Sequence, residues 1–146
     1  MTNQANEKLI VRIISPEGVI YDHRALSCSV KALDGGMTIL ANHTPIMAAL
    51  DISAVKVRRI YEDEEEDFIA INGGVLEMRD NVCEIVTSYA IRARDIDTAT
   101  VQLQKQEAEV GIKAAISNED TQAFRRAKIS LERAINMISV SKNRRN

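Results

Sequence analysis

The sequence predicts an all-β sandwich or barrel followed by an α-helical hairpin, and three observations predict it. Through the first ninety residues, short apolar and β-branched runs recur at roughly ten-residue spacing. Beyond Asp95, glycine and proline nearly vanish and apolar residues fall at helical spacing. The charge reverses at the same place: residues 1–90 carry 8 basic against 14 acidic side chains, and residues 91–146 carry 11 against 7. A change of sign that coincides with a change of residue type marks a boundary, so the expected units are 1–90 and 91–146.

In chain order, the strand-forming runs are Leu9 to Ile14, Val19 to Tyr21, Leu26 to Ala32, Met37 to Ala41, Val55 to Ile60, Phe68 to Ile71 and Val82 to Thr87. Several alternate between apolar and polar residues, as in Val55-Lys56-Val57-Arg58 and Val82-Cys83-Glu84-Ile85-Val86. That pattern suits an antiparallel sheet wetted on one face. Pro16-Glu17-Gly18, Asp34-Gly35-Gly36 and Arg79-Asp80-Asn81 supply turns. Gly73-Gly74 reads as a tight turn or bulge. The acidic run Glu62 to Asp67 lacks the spaced oxygen ligands and central glycine of a calcium loop, and reads as an exposed hairpin tip whose charges oppose aggregation.

In the last fifty residues, Ile96, Ala99, Leu103, Val110 and Ala114 form a first helical stripe, interrupted at Gln106. Phe124, Ala127, Leu131, Ala134 and Ile138 form a second, widened by Ile135. Ser117-Asn118-Glu119-Asp120 between them offers a cap with acidic residues at the start of the second helix, while Lys142, Arg144 and Arg145 favour its far end. Two amphipathic helices with a short polar link make an antiparallel pair. Their stripes are rich in alanine and bury little apolar area, so such a pair needs a further surface, on its own chain or on a partner.

Composition excludes several functions. The aromatic share is 3%, which provides no stacking platform for single-stranded nucleic acid, and a net charge of −2 provides no cationic field for nucleic acid or anionic lipid. Neither an apolar leader region nor a bilayer-spanning run is legible, which implies a soluble, unsecreted chain without direct membrane insertion. Cys28 and Cys83 are far apart and lack CxxC spacing, so they read as buried thiols and no metal site is expected. The two histidines, His23 and His43, have no nearby nucleophile or second ligand, and none of the common hydrolase, zinc-protease or nucleotide motifs occurs. No catalytic residue and no cofactor is expected; the residues describe a binding or structural module.

Three colinear segments carry a family resemblance. Leu33-Asp34-Gly35-Gly36-Met37-Thr38-Ile39-Leu40-Ala41-Asn42-His43-Thr44-Pro45-Ile46-Met47 resembles the signature of the epsilon subunit of bacterial F-type ATP synthases, in which a glycine-rich turn leads into an ILxxHxP stretch. Ile71-Asn72-Gly73-Gly74-Val75-Leu76-Glu77 resembles that family's GGxLE strand, and Ala90 to Asp97 its AxRxxDID join to the helices. The resemblance covers nearly the whole chain and implies a β-sandwich of about ten strands, a C-terminal helical hairpin and a place on the rotating central stalk. It implies binding to the gamma subunit and to the c-subunit ring, which couples proton flow to ATP synthesis, on the cytoplasmic face of the bacterial cell membrane as a peripheral protein.

By position, the resemblance places Gly36 and Met37 near the c ring and Asn42 and His43 near the stalk interface. It implies a hairpin that restrains ATP hydrolysis by meeting the alpha/beta catalytic head, with Arg125, Arg126, Lys128 and Arg133 as the basic contacts. Some relatives bind ATP through an IDxxRA motif and two later arginines. Here Ile96-Asp97 is present, but Thr100-Val101 stands in place of RA; Arg133 matches one arginine and Met137 replaces the other. Two missing guanidinium groups predict weak or no ATP binding, with Asp97 and Arg133 as the residue of a degenerate site. Thr38 is a further departure, standing where relatives often have glycine. The competing expectation is a free-standing β-sandwich binding module that oligomerises through its hairpin, using Phe124, Leu131 and Ile138.

Overall fold

The computed structural model of the chain describes residues 8–60 and 65–143. Glu62 to Glu64 of the acidic run, and Arg144 and Arg145, lie outside the described residues. The chain divides into two compact units, Met1–Arg92 and Ala93–Asn146.

The first unit is built from seven strands: β1 (Leu9–Ser15), β2 (Gly18–Ala32), β3 (Gly35–Leu40), β4 (Ile46–Arg59), β5 (Glu66–Arg79), β6 (Val82–Val86) and β7 (Ala90–Arg92). All ladders are antiparallel except β1 with β6. The pairings β2–β1, β1–β6, β6–β5, β5–β4 and β4–β2 close on themselves, so these five strands form a ring, with β3 added beside β2 and β7 beside β5. Closure leaves the ring without an open edge on which another chain could template.

The strand count differs from the ten expected, for a physical reason. β2 pairs with β1 through its first half and with β3 through its second; β5 pairs with β6 near its end and with β7 near its start. β4 runs alongside β5 for almost its whole length. Each long strand therefore pairs with different neighbours along its length, and runs that read as separate, such as Val19 to Tyr21 and Leu26 to Ala32, are one continuous strand. The bends fall where pairing breaks. Register shifts interrupt the β2–β4 ladder between Ala25 and Ser27 and between Ser29 and Ala32. The β4–β5 ladder skips Asp51 and Gly73. Gly73 and Gly74 sit at that bend with φ of +76° and +141°, and a Cβ on Gly74 would stand 2.3 Å from the carbonyl oxygen of Val86. Only glycine fits there.

Two further stretches were not legible as strands. Residues 46–54 continue β4 although Ala48, Ala49 and Ala54 give them weak strand propensity, and the short β7 was hidden by its polar neighbours.

The core joins residues from several strands, among them Leu9, Val11 and Ile13 of β1, Ile39 of β3, Val57 of β4 and Ile71 of β5, all fully buried. Cys28 on β2 and Cys83 on β6 are free, fully buried thiols within this core. The neighbouring Cys83 thiol, together with burial, pushes the Cys28 thiol well above its ordinary range. Asp67, read from the sequence as part of a solvated tip, is buried instead. Its carboxylate accepts from the Tyr21 hydroxyl at 2.6 Å and from Arg59 Nε at 2.5 Å, with an Arg92 nitrogen 3.9 Å away. Burial and the Asp67 contact raise the Tyr21 hydroxyl above its ordinary value of 10.0.

The second unit holds a short 3-10 turn (Ala93–Asp95), α1 (Thr98–Ser117) and α2 (Thr121–Ser141). Asp97 caps α1, its carboxylate accepting from the backbone N–H groups of Ala99 and Thr100 and from the Thr100 hydroxyl. Asp120 caps α2 through Ala123 N–H. The link is short because one residue serves two purposes: Asp120 N–H also donates to Ala115 C=O, closing the end of α1 around Glu119 in a left-handed conformation at φ +52°.

The apolar stripe of α1 differs from the expected one. The buried residues are Val101, Ala108 and Ala115, repeating every seven positions. Leu103 and Val110 are 55% and 66% exposed on the opposite side. Both stripes have helical period, so spacing could not say which one faces α2; the small side chains do, because Gly111 and Ala127 approach closely there. On α2, Ala134, Met137 and Val140 are buried and Phe124, Ala127, Leu131 and Ile138 are half-buried, close to the expected face.

Candidate functional site

The outward face of the β4–β5–β6–β1–β2 layer is organised in cross-strand rows. Directly paired residues lie on the same side of a sheet, so the pairings Ala49↔Val75, Val75↔Val86, Val86↔Ile14 and Ile14↔Val19 define one continuous row. Every member is apolar. Val75, Val86 and Val19 are 45%, 52% and 59% exposed, while the alternating residues Leu76, Ile85 and Ile13 point into the core. The next row along the strands is charged beyond Met47 at its end: Met47↔Glu77, Glu77↔Glu84, Glu84↔Arg12 and Arg12↔Asp22. Arg12 lies 3.3 Å from Asp22 and 3.7 Å from Glu84, which leaves Glu77 as excess negative charge facing Glu84.

The apolar row adjoins the Leu33–Asp34 turn. Leu33 N–H donates to Ala49 C=O, which brings the 69%-exposed Leu33 side chain and the Gly35–Gly36 entry to β3 to the end of that row. Gly36 and Met37 begin β3, and Asn42 and His43 follow its far end. The two pairs of candidate partner-binding residues are therefore separated by the length of a strand, at opposite ends of β3.

At the far end, Leu40 to His43 form a turn closed by His43 N–H donating to Leu40 C=O, with Asn42 at φ +65°. His43 Nδ1 lies 2.7 Å from Thr44 C=O. Asn42 N–H donates to Asn81 Oδ1 at 2.5 Å, and Asn81 Nδ2 donates to Asn42 Oδ1 at 3.1 Å. Beside the Asp80–Asn81 turn lies a depression of about 270 Å³ lined by Glu77, Arg79, Asp80, Val82 and Glu84. His23, set apart from His43, packs its ring 4.6 Å from that of Tyr21; burial, with Arg59 and Arg92 nearby, lowers it below its ordinary value.

On α2, Arg125 and Lys128 lie one turn apart and are exposed, as is Arg126. Arg133 lies two turns beyond Arg126, is half-buried, and its Nε is buried without a hydrogen-bond partner among the described residues. Asp97 is committed to capping α1, and Val101 and Met137, which stand at the departures from the nucleotide motif, are both buried. Among the described residues, no cluster of His, Cys, Asp and Glu is arranged to hold a metal ion, and no helix is long and apolar enough to cross a membrane.

Sequence reasoning missed the apolar row. Its members come one each from five strands, as single outward apolar residues in unremarkable alternation; only the register assembles them.

The structure resembles a chain in the Euglena gracilis mitochondrial ATP synthase (OSCP/F1/c-ring in rotational state 1), with 21% identity, a TM-score of 0.75, and coverage of 91% of this chain and 81% of that one. It also resembles a chain in the Tetrahymena thermophila mitochondrial ATP synthase central stalk and c ring, with 18% identity, a TM-score of 0.50, and coverage of 85% and 96%. These likenesses concern the fold. Residues 8–93 match the family described as the ATP synthase delta/epsilon chain, β-sandwich domain, and those residues are most of the chain. The chain therefore belongs to the ATP synthase delta/epsilon chain family.

Proposed function

We propose that this chain is an epsilon-type subunit of the central stalk of a bacterial F-type ATP synthase, itself non-catalytic and peripheral at the cytoplasmic face of the membrane. Its sandwich joins the gamma subunit to the c ring and so couples proton translocation to ATP synthesis. The observation that carries this reading is the exposed apolar row from Ala49 to Val19, continuous with the Leu33–Asp34 turn that leads into Gly36 and Met37 at the start of β3. A contiguous apolar surface of this kind on a small domain marks a protein contact, and the acidic row beside it favours a partner carrying basic residues. Gly36 and Met37 meet the c ring; Asn42 and His43, a strand length away, meet gamma.

The hairpin restrains ATP hydrolysis by bringing Arg125, Arg126, Lys128 and Arg133 to an acidic region of the catalytic head. The exposed Leu103 and Val110 support this, since a thin helical pair with an unburied stripe gains from a partner surface. Nucleotide plays no tight-binding part: Asp97 is engaged as a cap and Val101 and Met137 pack inside the hairpin. Calorimetry on the isolated chain is expected to detect no ATP binding of micromolar strength or better; such binding would refute this part.

The whole reading is tested by affinity purification of the tagged chain from its native host. Co-purification of gamma, alpha, beta and c subunits is expected, and their absence would overturn it. The exposed stripe on α1 favours a second reading, self-association through the hairpin, which light scattering of the isolated chain would reveal as a dimer.

A further inference from the structure

The reciprocal pair of hydrogen bonds between Asn42 and Asn81 joins two segments far apart in sequence. Both residues adopt left-handed backbone conformations, Asn42 at φ +65° and Asn81 at φ +62°, and Asp80 beside Asn81 sits at +52°. Asp80 and Asn81 form the two-residue turn between β5 and β6, where positive φ at both positions matches the strand twist. Asn81 C=O accepts from Ile10 N–H at the start of β1. Asn81 is thereby held by its backbone to the closed ring of strands, and its side-chain amide reaches out to the loop after β3, bonding both the N–H and the side chain of Asn42.

Asn42 is exposed and Asn81 half-buried, and neither belongs to the hydrophobic core. The physical consequence of these bonds is local: they hold the 41–44 turn in one conformation and set where Asn42 and the neighbouring His43 stand. We infer that Asn81 is a positioning residue for partner recognition, fixing the Asn42–His43 loop in its binding conformation before the gamma subunit arrives. This rests on the reading of that loop as the gamma contact given above. A loop ordered in advance loses less conformational freedom on binding, so its partner dissociates more slowly.

Asn81→Gly is the informative variant, because glycine keeps the left-handed backbone of the turn while removing both side-chain bonds. In the full-length chain, hydrogen exchange at the Asn42 amide is expected to accelerate, and binding to purified gamma subunit to weaken about fivefold, mostly through faster dissociation. Asn81→Asp, which retains the acceptor for Asn42 N–H, is expected to recover most of the affinity. Asn81→Ala, which also removes both bonds while leaving the Asn42 side chain intact, gives the same test should Asn81→Gly fail to fold. Faster exchange at Asn42 with wild-type affinity for gamma would overturn the positioning role. Equal loss of affinity in Asn81→Gly and Asn81→Asp would overturn it as well. If the unaltered chain fails to bind gamma, the reading of the loop as a gamma contact fails, and the inference falls with it.

Discussion

In the sandwich, large side chains such as Leu9, Ile13, Ile69 and Leu76 are completely buried behind ladders that close into a ring, and even a carboxylate, Asp67, is enclosed with two arginines and a tyrosine. In the hairpin, the buried positions are mostly alanine and valine, with Met137 the largest, and comparable apolar residues remain outside at Leu103, Val110 and Ile129. At about 25 cal/mol per Å² of apolar surface removed from water, the first arrangement sustains itself and the second leaves little in reserve. The contrast is one of stability: a unit with a large buried core and one with a small one. Mutations can test this contrast, because damage to the sandwich should be large and global while damage to the hairpin should be small and local.

The largest effect is expected from Gly74→Ala. A Cβ there meets the Val86 carbonyl oxygen at 2.3 Å in a backbone conformation closed to other residues, so the sandwich should lose more than about 4 kcal/mol or fail to fold, as read by urea denaturation. Next is Asp67→Ala, which strands Arg59 and Arg92 without their shared carboxylate and should cost about 3–5 kcal/mol. A loss below about 1 kcal/mol would show that solvent screens the cluster.

Tyr21→Phe removes the hydroxyl that donates to Asp67 and should cost about 2 kcal/mol near neutral pH. Its pH dependence has a definite sign. The folded hydroxyl titrates above its ordinary value of 10.0, so its contribution is complete below pH 10.0 and declines as the pH rises beyond that value and the unfolded chain ionises first. The stability difference between wild type and Tyr21→Phe should therefore shrink above pH 10.0; a constant difference would contradict the burial of this group. The smallest effect is expected from Asp97→Ala, about 1 kcal/mol through loss of the α1 cap, visible as fraying of the hairpin while the sandwich transition stays in place.

The turn chemistry was read correctly where residue type alone decides conformation, at Pro16–Gly18 and Asp80–Asn81, while the Asp34–Gly36 turn falls one residue earlier, at Leu33–Asp34, with both glycines in β3. The start of α2 at Asp120 is likewise local, set by a side chain three residues from the N–H it caps. Long-range features were not accessible in this way. Asp67 looks like the other members of its acidic run until the fold brings Tyr21 and Arg92 to it. The choice between the Leu103 and Val101 stripes of α1 depends on which side α2 approaches. The apolar row on the sandwich exists only once register aligns Ala49, Val75, Val86, Ile14 and Val19, and the Asn42–Asn81 bridge spans thirty-nine residues of sequence.

We propose that the sandwich anchors this chain in the ATP synthase and the hairpin acts on hydrolysis. The decisive comparison is between residues 1–92, cut after β7 so that Arg92 stays beside Asp67, and the full chain in the purified enzyme. Residues 1–92 are expected to co-purify with the complex as fully as the intact chain, and ATP hydrolysis is expected to rise in their presence. Loss of the truncated chain from the complex, or hydrolysis unchanged by the deletion, would contradict the proposal.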